Sequence, residues 1–275
     1  MLNKILLVVG LFAMGCHSPK PQHWVAIGDS ITYLNDHLDE TDFRLSKGYL
    51  TAVQDQLPHF KVTNKGYNGW TVVRIAEHFD ELNMPKASLY TIFLGTNDWW
   101  AGNPLGTFLD YQKKTGVGTV LGAYRLIVDQ LKTLNPEATI VLITPMQRVD
   151  FVYLNNYQNN AYGSYKPKKG QTLESFAQAI QKIGKEEGFP VLDLYHHPQL
   201  QHQDLVQFKR LKNSNTGVYE NYSYPDYIGL PFDPKSDAYP YPLEAIGMTY
   251  DGLHPSDEGN QLIAKALVAL LSEIK

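Results

Sequence analysis

The chain has 275 residues, of which 43% are hydrophobic and 19% are charged, and its formal net charge is −4. This length supports one sizeable hydrophobic core, and the small negative charge offers no electrostatic surface for nucleic acid.

The first residues predict export. Lys4 precedes an apolar stretch at 5–13 that is too short to span a bilayer. Gly15 then precedes Cys16, the only cysteine of the chain, in an arrangement that resembles a bacterial lipobox. We therefore expect residues 1–16 to be a lipoprotein signal peptide ending at the lipidated Cys16, and residues 17–23 to be a tether. An ordinary secretory signal is the alternative.

The rest of the chain alternates between compact apolar runs and segments of helical spacing. The runs predict five strands, at 24–28, 60–64, 89–94, 139–144 and 190–194. The spacing predicts helices at 48–57, 71–82, 118–134, 172–187 and 255–274. Strands separated by helices indicate a parallel sheet covered on both faces. The predicted fold class is therefore α/β, as a flavodoxin-like three-layer α/β/α sandwich with a five-stranded parallel sheet, in a single domain at 24–275.

The segment 212–248 departs from this alternation. It is dominated by Tyr, Pro, Asn, Ser and Gly, and no period holds along it. Such a length without regular structure is unusual in a compact domain, and its aromatic content argues against disorder. We expect this insertion to form an ordered aromatic flap that lines the substrate cleft, with Tyr239 and Tyr241 among the lining residues.

Four short polar motifs carry the chemical signal. They read Gly-Asp-Ser at 28–30, Gly-Tyr-Asn-Gly at 66–69, Gly-Thr-Asn-Asp at 95–98 and Asp-Gly-Leu-His at 251–254. The first three each close a predicted strand, where a parallel sheet presents its ligand-binding loops. Any motif alone is better explained by local structure, such as a helix cap or a turn. Together they supply a hydroxyl nucleophile, oxyanion donors and a base with its carboxylate, as acyl transfer requires.

These motifs, in this order, resemble those of the GDSL or SGNH hydrolases, and the resemblance spans residue 24 to the C-terminus. It implies a catalytic triad of Ser30, His254 and Asp251. It also implies that the backbone N–H groups of Ser30 and Gly69 and the side-chain amide of Asn97 form the oxyanion hole. No Gly-x-Ser-x-Gly motif surrounds Ser30, which disfavours an α/β-hydrolase. Neither a cofactor nor a metal is expected.

Several residues near the motifs are candidates for secondary roles. Trp70, Trp99 and Trp100 either line the substrate pocket or pack beneath its loops. Arg148, after the fourth predicted strand, is a candidate substrate contact. The acids within the motifs, at 29 and 98, are expected to accept backbone N–H groups. Histidines at 196, 197 and 202 lack ligand partners at a familiar spacing, so no metal site is predicted there.

The sequence thus predicts a serine esterase that works through an acyl-enzyme, exported and lipid-anchored on the periplasmic side or the cell surface. Abundant aromatic residues favour O-acylated, in particular acetylated, carbohydrate as its substrate. A lysophospholipase or thioesterase, an acyltransferase and a non-catalytic glycan-binding lipoprotein are the alternatives. The expected partners are a small-molecule or polysaccharide ester and a membrane reached only through the lipid anchor, without nucleic acid.

Overall fold

The computed structural model describes residues 20–274. The signal peptide expected at 1–16 and the lipidation of Cys16 lie outside the described residues. The first strand already begins at Gln22, so the tether expected to run through residue 23 ends earlier than predicted. Within residues 20–274, no helix combines the length and apolar character needed to cross a bilayer.

The strands fall into one large sheet and two small hairpins. They are β1 (Gln22–Gly28), β2 (Phe60–Gly66), β3 (Leu89–Phe93), β4 (Thr139–Ile143), β5 (Phe151–Val152), β6 (Asn160–Ala161), β7 (Val191–Leu192), β8 (Lys209–Lys212) and β9 (Tyr219–Tyr222). The large sheet has the order β2-β1-β3-β4-β7, and all its pairs are parallel. This is the flavodoxin-like order, so the predicted α/β fold with a five-stranded parallel sheet is confirmed.

Helices cover both faces of this sheet. They are α1 (Ser30–Tyr33), α2 (Tyr49–Gln56), α3 (Val72–Glu77), α4 (Thr96–Ala101), α5 (Phe108–Gln112), α6 (Val120–Leu134), α7 (Leu173–Glu187), α8 (His202–Leu205) and α9 (Asp257–Glu273). Helices α2 and α9 pack together on one face, whereas α3, α6 and α7 contribute to the core on the other.

The central strands are apolar along their length because both of their faces are buried. In β1, Trp24 and Ala26 join the core on the side of α2 and α9, whereas Val25 and Ile27 join the opposite core. Side chains of successive strand residues point to opposite faces, so a strand with helices on both sides has no solvent-facing position. This burial holds β1 in place and fixes the position of the loop that follows it.

Two predicted elements are shorter than expected. Strand β7 covers two residues rather than 190–194, because the N–H groups of Leu194 and Tyr195 donate to Oγ1 of Thr144, at 2.9 and 3.1 Å, instead of continuing the ladder. Helix α3 ends at Glu77, and the residues up to 82 continue as hydrogen-bonded turns.

The insertion 212–248 contains some regular structure, contrary to expectation. Strand β9 pairs with β8 in an antiparallel hairpin, and Leu243–Ala245 forms a 3₁₀ turn. The alternation that predicts a strand is obscured in β9 because its residues are largely exposed.

Candidate active site

Ser30 is the first residue of α1, immediately after β1. Asp29 caps this short helix by accepting the N–H of Ile31 at 3.0 Å. A Cβ at Gly28 would lie 2.0 Å from Oγ1 of Thr32, so the tight turn from strand to helix requires glycine. The local sequence therefore fixes the serine at the carboxyl end of a central strand.

Ser30, His254 and Asp251 form a continuous hydrogen-bonded chain. The Nε2 atom of His254 lies 2.9 Å from Oγ of Ser30, and its Nδ1 lies 2.7 Å from Oδ2 of Asp251. All three side chains are buried, with Asp251 only 1% exposed. Because the carboxylate occupies the Nδ1 side of the ring, Nε2 is the nitrogen available to take the serine proton.

A tight turn holds the base and its carboxylate together. Oδ1 of Asp251 accepts the backbone N–H groups of Leu253 at 3.0 Å and of His254 at 2.7 Å. Gly252 has φ of +89°, and a Cβ there would lie 2.1 Å from the carbonyl oxygen of Asp150. In addition, Val149 donates its N–H to the carbonyl of Gly252 at 3.0 Å. The turn is thereby joined directly to the segment after β4.

The three residues that carry the expected oxyanion donors line one cavity together with His254. The N–H of Ser30 has no partner within its own helix because it opens α1. Gly69 has φ of +74°, and a Cβ there would meet nothing within 4 Å, so its backbone is open to a ligand. Asn97 donates one N–H of its amide to the carbonyl of Trp70 at 3.0 Å, which orients the amide and leaves its second N–H for another acceptor.

The cavity has a volume of about 360 Å³. Beyond His254 and the residues of the oxyanion donors, its walls combine polar side chains with aromatic and apolar ones; they comprise Asn68, Thr71, Trp100, Ala101, Arg148, Phe151, Tyr153, Asn159, Ala161 and Leu253. The volume falls in the range of ordinary small-ligand pockets.

One wall of the cavity escaped sequence reasoning. It is the segment of strands β5 and β6, which contributes Phe151, Tyr153, Asn159 and Ala161. The Phe151 ring meets the His254 imidazole edge-on at 5.5 Å between centroids. The apolar Phe-Val pair at 151–152, within the segment that follows the fourth predicted strand, was the available signal, but nothing local indicated that it turns toward the histidine.

The expectation that Tyr239 and Tyr241 line the substrate cleft is wrong. Both contribute their hydroxyl groups to the outer side of the β5–β6 wall: Tyr239 donates to the carbonyl of Val152 at 3.1 Å, and Tyr241 donates to the carbonyl of Asp150. No residue of the insertion 212–248 is among those that line the catalytic cavity in the described part of the chain. The insertion supports the wall instead of forming it.

The tryptophans divide between the cavity and the core. Trp100 lines the cavity, whereas Trp99 is fully buried and donates its Nε1–H to the carbonyl of Gln171 at 2.9 Å. Trp70 stacks on Tyr67, with centroids 4.6 Å apart, outside the cavity. Of the three, only Trp100 is placed to touch a ligand.

Arg148 lies in the cavity wall and is 2% exposed. Its Nη2 donates to the carbonyl of Tyr162 at 2.9 Å, and its Cζ lies 4.9 Å from the ring centroid of Trp100. Burial lowers the pKa of Arg148 to about 10, opposed by the charges of Asp150 and Asp251. The guanidinium therefore remains positively charged at neutral pH.

The two acids of the motifs shape their loops, as expected. Burial raises the pKa of Asp29 to about 6 and also raises the pKa of Asp98. The carboxylate of Asp98 accepts the N–H of Val72 at 2.8 Å and the side-chain amide of Asn103 at 3.1 Å. It thereby ties the loop after β2 to the loop after β3.

The histidines at 196, 197 and 202 each have a hydrogen-bond partner. Nδ1 of His197 accepts the N–H of Gln199 at 3.3 Å. Nδ1 of His196 lies 2.8 Å from Asp193, and Nε2 of His202 lies 2.9 Å from Oγ of Ser164. Burial lowers the pKa of His202 to about 4. Across residues 20–274, no group of three or more His, Cys, Asp or Glu side chains is arranged to hold a metal ion.

Comparison with known proteins identifies clear relatives. Residues 26–262 match the GDSL-like lipase/acylhydrolase family. A solved structure described as a possible lipase from Chitinophaga pinensis is 56% identical, with a TM-score of 0.91 over 92% of this chain and 98% of that one.

More distant structures share only the fold. A protein from Lactobacillus plantarum is 19% identical, with a TM-score of 0.62 over 94% of this chain and 100% of that one. A mutant acetyl-xylooligosaccharide esterase from Geobacillus is 18% identical, with a TM-score of 0.51 over 92% and 94%. A search of curated proteins found no match.

Proposed function

Because this chain belongs to the GDSL-like lipase/acylhydrolase family and is a hydrolase acting on esters, we propose that it removes short acyl groups, acetyl above all, from O-acylated carbohydrate outside the cytoplasm. The observation that carries the ester chemistry is the hydrogen-bonded chain from Ser30 through His254 to Asp251 at the cavity. The carbohydrate and the location are our inference.

The geometry supports an acyl-enzyme mechanism. Oγ of Ser30 attacks the ester carbonyl while its proton passes to Nε2 of His254, and Asp251 stabilises the resulting imidazolium. The carbonyl oxygen becomes an oxyanion, which the N–H groups of Ser30 and Gly69 and the free amide N–H of Asn97 are available to bind.

Collapse of this intermediate breaks the bond to the alcohol, which leaves with the proton from His254. Water then attacks the acyl group on Ser30 and gives its proton to the same nitrogen. A second tetrahedral intermediate collapses, the proton returns to Oγ, and the carboxylic acid is released.

The cavity walls support a short acyl group and a polar alcohol. A volume of about 360 Å³ is at the small end for ligand pockets. The side chains of Asn68, Thr71 and Asn159 offer hydrogen bonds, and Trp100 offers an aromatic surface. The acetyl-xylooligosaccharide esterase described above shares this fold, so the fold is compatible with such a substrate.

A substrate panel tests this proposal against a lipid esterase. We expect hydrolysis to decline from 4-nitrophenyl acetate through butyrate to octanoate, and acetate to be released from acetylated polysaccharide. A preference for octanoate, without acetate release, would favour the lysophospholipase or thioesterase alternative.

Labelling by a fluorophosphonate tests the nucleophile without knowledge of the substrate. The wild-type protein should be labelled and Ser30→Ala should not, with kcat for 4-nitrophenyl acetate lowered on the order of 10⁶-fold, as for other serine nucleophiles. Equal melting temperatures of the two proteins serve as the control for folding. An unlabelled wild-type protein would support the non-catalytic glycan-binding alternative.

A further inference from the structure

The catalytic cavity contains a buried cation whose hydrogen-bonding capacity is largely unused. Arg148 has five N–H donors, yet its side-chain contacts within the described residues comprise one hydrogen bond, to the carbonyl of Tyr162, and stacking on indole rings. Its Nε is buried without any hydrogen-bond partner. None of the ion pairs formed among residues 20–274 includes Arg148.

The neighbouring carboxylates are engaged elsewhere. Asp150 lies 2.7 Å from Nζ of Lys209 and also accepts the hydroxyl of Tyr165. Asp251 is held by His254. The side chains that line the cavity include no acidic residue. The part of the cavity wall formed by Arg148 is therefore positively charged, and no described side chain neutralises this charge by direct contact.

A second cation lies over the same indole. Nζ of Lys168 lies 3.6 Å from the ring centroid of Trp100 and 5.4 Å from that of Tyr162. The two rings meet edge-to-face, with centroids 4.9 Å apart. The two cations concentrate positive charge around Trp100, which lines the cavity, and this charge favours a negatively charged substrate group.

We propose that Arg148 binds an anionic group on the alcohol part of the ester, so that the substrate is an O-acylated acidic saccharide with a carboxylate near the acyl group. The proposal rests on the proposed esterase function and specifies its substrate class. Burial of an unpaired charge is costly, and a substrate carboxylate offsets that cost by accepting charge-assisted hydrogen bonds from the guanidinium. Lys168, which lies over the indole ring of Trp100, adds a second positive charge next to Arg148.

A matched pair of substrates tests this assignment. An O-acetylated methyl glycoside of a uronic acid and its uronamide contain the same ester and differ in one charge. We expect the wild-type enzyme to prefer the acid by about 10- to 100-fold in kcat/KM, the usual range for hydrogen bonds to a charged group. Arg148→Gln should bring this ratio close to one by raising KM for the acid, and Arg148→Lys should restore part of it.

A remote arginine provides the control. Arg125 also stacks on an aromatic ring, that of Tyr111, but pairs with Glu187 and does not line the cavity. Arg125→Gln should keep the full preference for the acid. Equal rates for acid and uronamide in the wild-type enzyme, or an equal loss of kcat for both in Arg148→Gln, would overturn the proposal and leave Arg148 a purely structural residue.

Binding measurements separate this proposal from the esterase function. Calorimetry with the free uronic acid should detect binding to Ser30→Ala, but not to the double variant Ser30→Ala, Arg148→Gln. Binding of the uronic acid, combined with no ester hydrolysis by the wild-type protein, would support the anion site while rejecting the proposed function. Binding of a sugar phosphate but not of the uronate would reject the carboxylate.

Discussion

Asp251 engages His254 through both of its carboxylate oxygens: Oδ2 lies 2.7 Å from the imidazole Nδ1, and Oδ1 accepts the backbone N–H of the same residue at 2.7 Å. The acid thus fixes both the ring and the peptide that carries it. A separation of three residues makes this double contact possible within one turn, so the orientation of the base depends on few distant contacts.

Replacing Asp251 by Asn should keep the contact to the backbone but change the contact to the imidazole ring. The amide oxygen can still accept the backbone N–H groups, but the amide nitrogen would then donate to Nδ1 and leave the proton of the imidazole on Nε2. We expect kcat to fall about 10⁴-fold with little change in melting temperature.

Asp251→Ala removes both contacts and is therefore compared with Asp251→Asn. It also leaves two buried N–H groups without an acceptor, at a cost of about 1–3 kcal/mol each, so it should lower the free energy of unfolding measured in urea. Activity of Asp251→Asn within tenfold of wild type would contradict the assigned role.

Asn97→Ala should lower kcat by about 10²- to 10³-fold, the usual effect of removing one oxyanion donor. KM should change little because the ground-state carbonyl gains less from this donor. Asn159→Ala is the matched control, since Asn159 lines the same cavity outside the donor set; its kcat should stay within tenfold. Steady-state kinetics on 4-nitrophenyl acetate would distinguish the two.

Tyr241→Phe should destabilise the protein and weaken substrate binding. Its hydroxyl group is the donor to the carbonyl of Asp150, and a buried carbonyl without a donor costs about 1–3 kcal/mol. Because Asp150 leads into the β5–β6 wall, KM should rise as well. Tyr222→Phe removes an exposed hydroxyl bonded to Glu220 and should change neither the unfolding curve nor KM.

The buried carboxyl of Asp29 predicts a pH dependence of stability. Since burial raises its pKa to about 6, the folded state holds a proton between about pH 4 and 6 that the unfolded state has lost, and stability falls as pH rises through this window. Asp29→Asn, which keeps a good helix cap, should remove this loss. From below pH 4 to well above pH 6, the difference in unfolding free energy between the two proteins should change by up to about 3 kcal/mol.

Asp110→Asn provides a control in which the pH dependence of stability has the opposite sign. Hydrogen bonds from Thr107 lower the pKa of Asp110, so its contribution is lost as pH falls rather than as it rises. Parallel unfolding of the wild-type and Asp29→Asn proteins from pH 4 to 7 would refute the assignment for Asp29.

The lipidation that we propose for Cys16 is testable independently of catalysis. Cys16→Ser should move the protein from the membrane fraction to the soluble fraction with its esterase activity retained. A wild-type protein that fractionates as soluble and carries no diacylglycerol would contradict the lipobox interpretation.

Local sequence predicted the sheet and the catalytic motifs because both depend on neighbouring residues. The apolar run of β1 ends at Gly28, and the serine follows at once; Asp251 and His254 lie within one turn. The β5–β6 wall was missed because it depends on distant contacts. Its support comes from Tyr239, which is 87 residues away from its acceptor Val152.

The same reason accounts for the error about the insertion. Its tyrosines are aromatic and close in sequence to the base, which suggested that they contact the substrate. Tyr241 instead is fully buried, with its hydroxyl directed at the back of the wall. In an irregular segment, no periodic pattern of the sequence indicates which side chains are buried.

Ser30 and His254 are hydrogen-bonded although they are 224 positions apart in the chain. A chain that is still being synthesised therefore contains the hydroxyl of Ser30 long before His254, the residue that activates it. We expect it to lack esterase activity until the segment that carries His254 has packed against the sheet. Esterase turnover thus reports completion of the whole tertiary structure, and proteolytic fragments from either end should be inactive alone. Mixing two complementary fragments should restore turnover only if they reassemble.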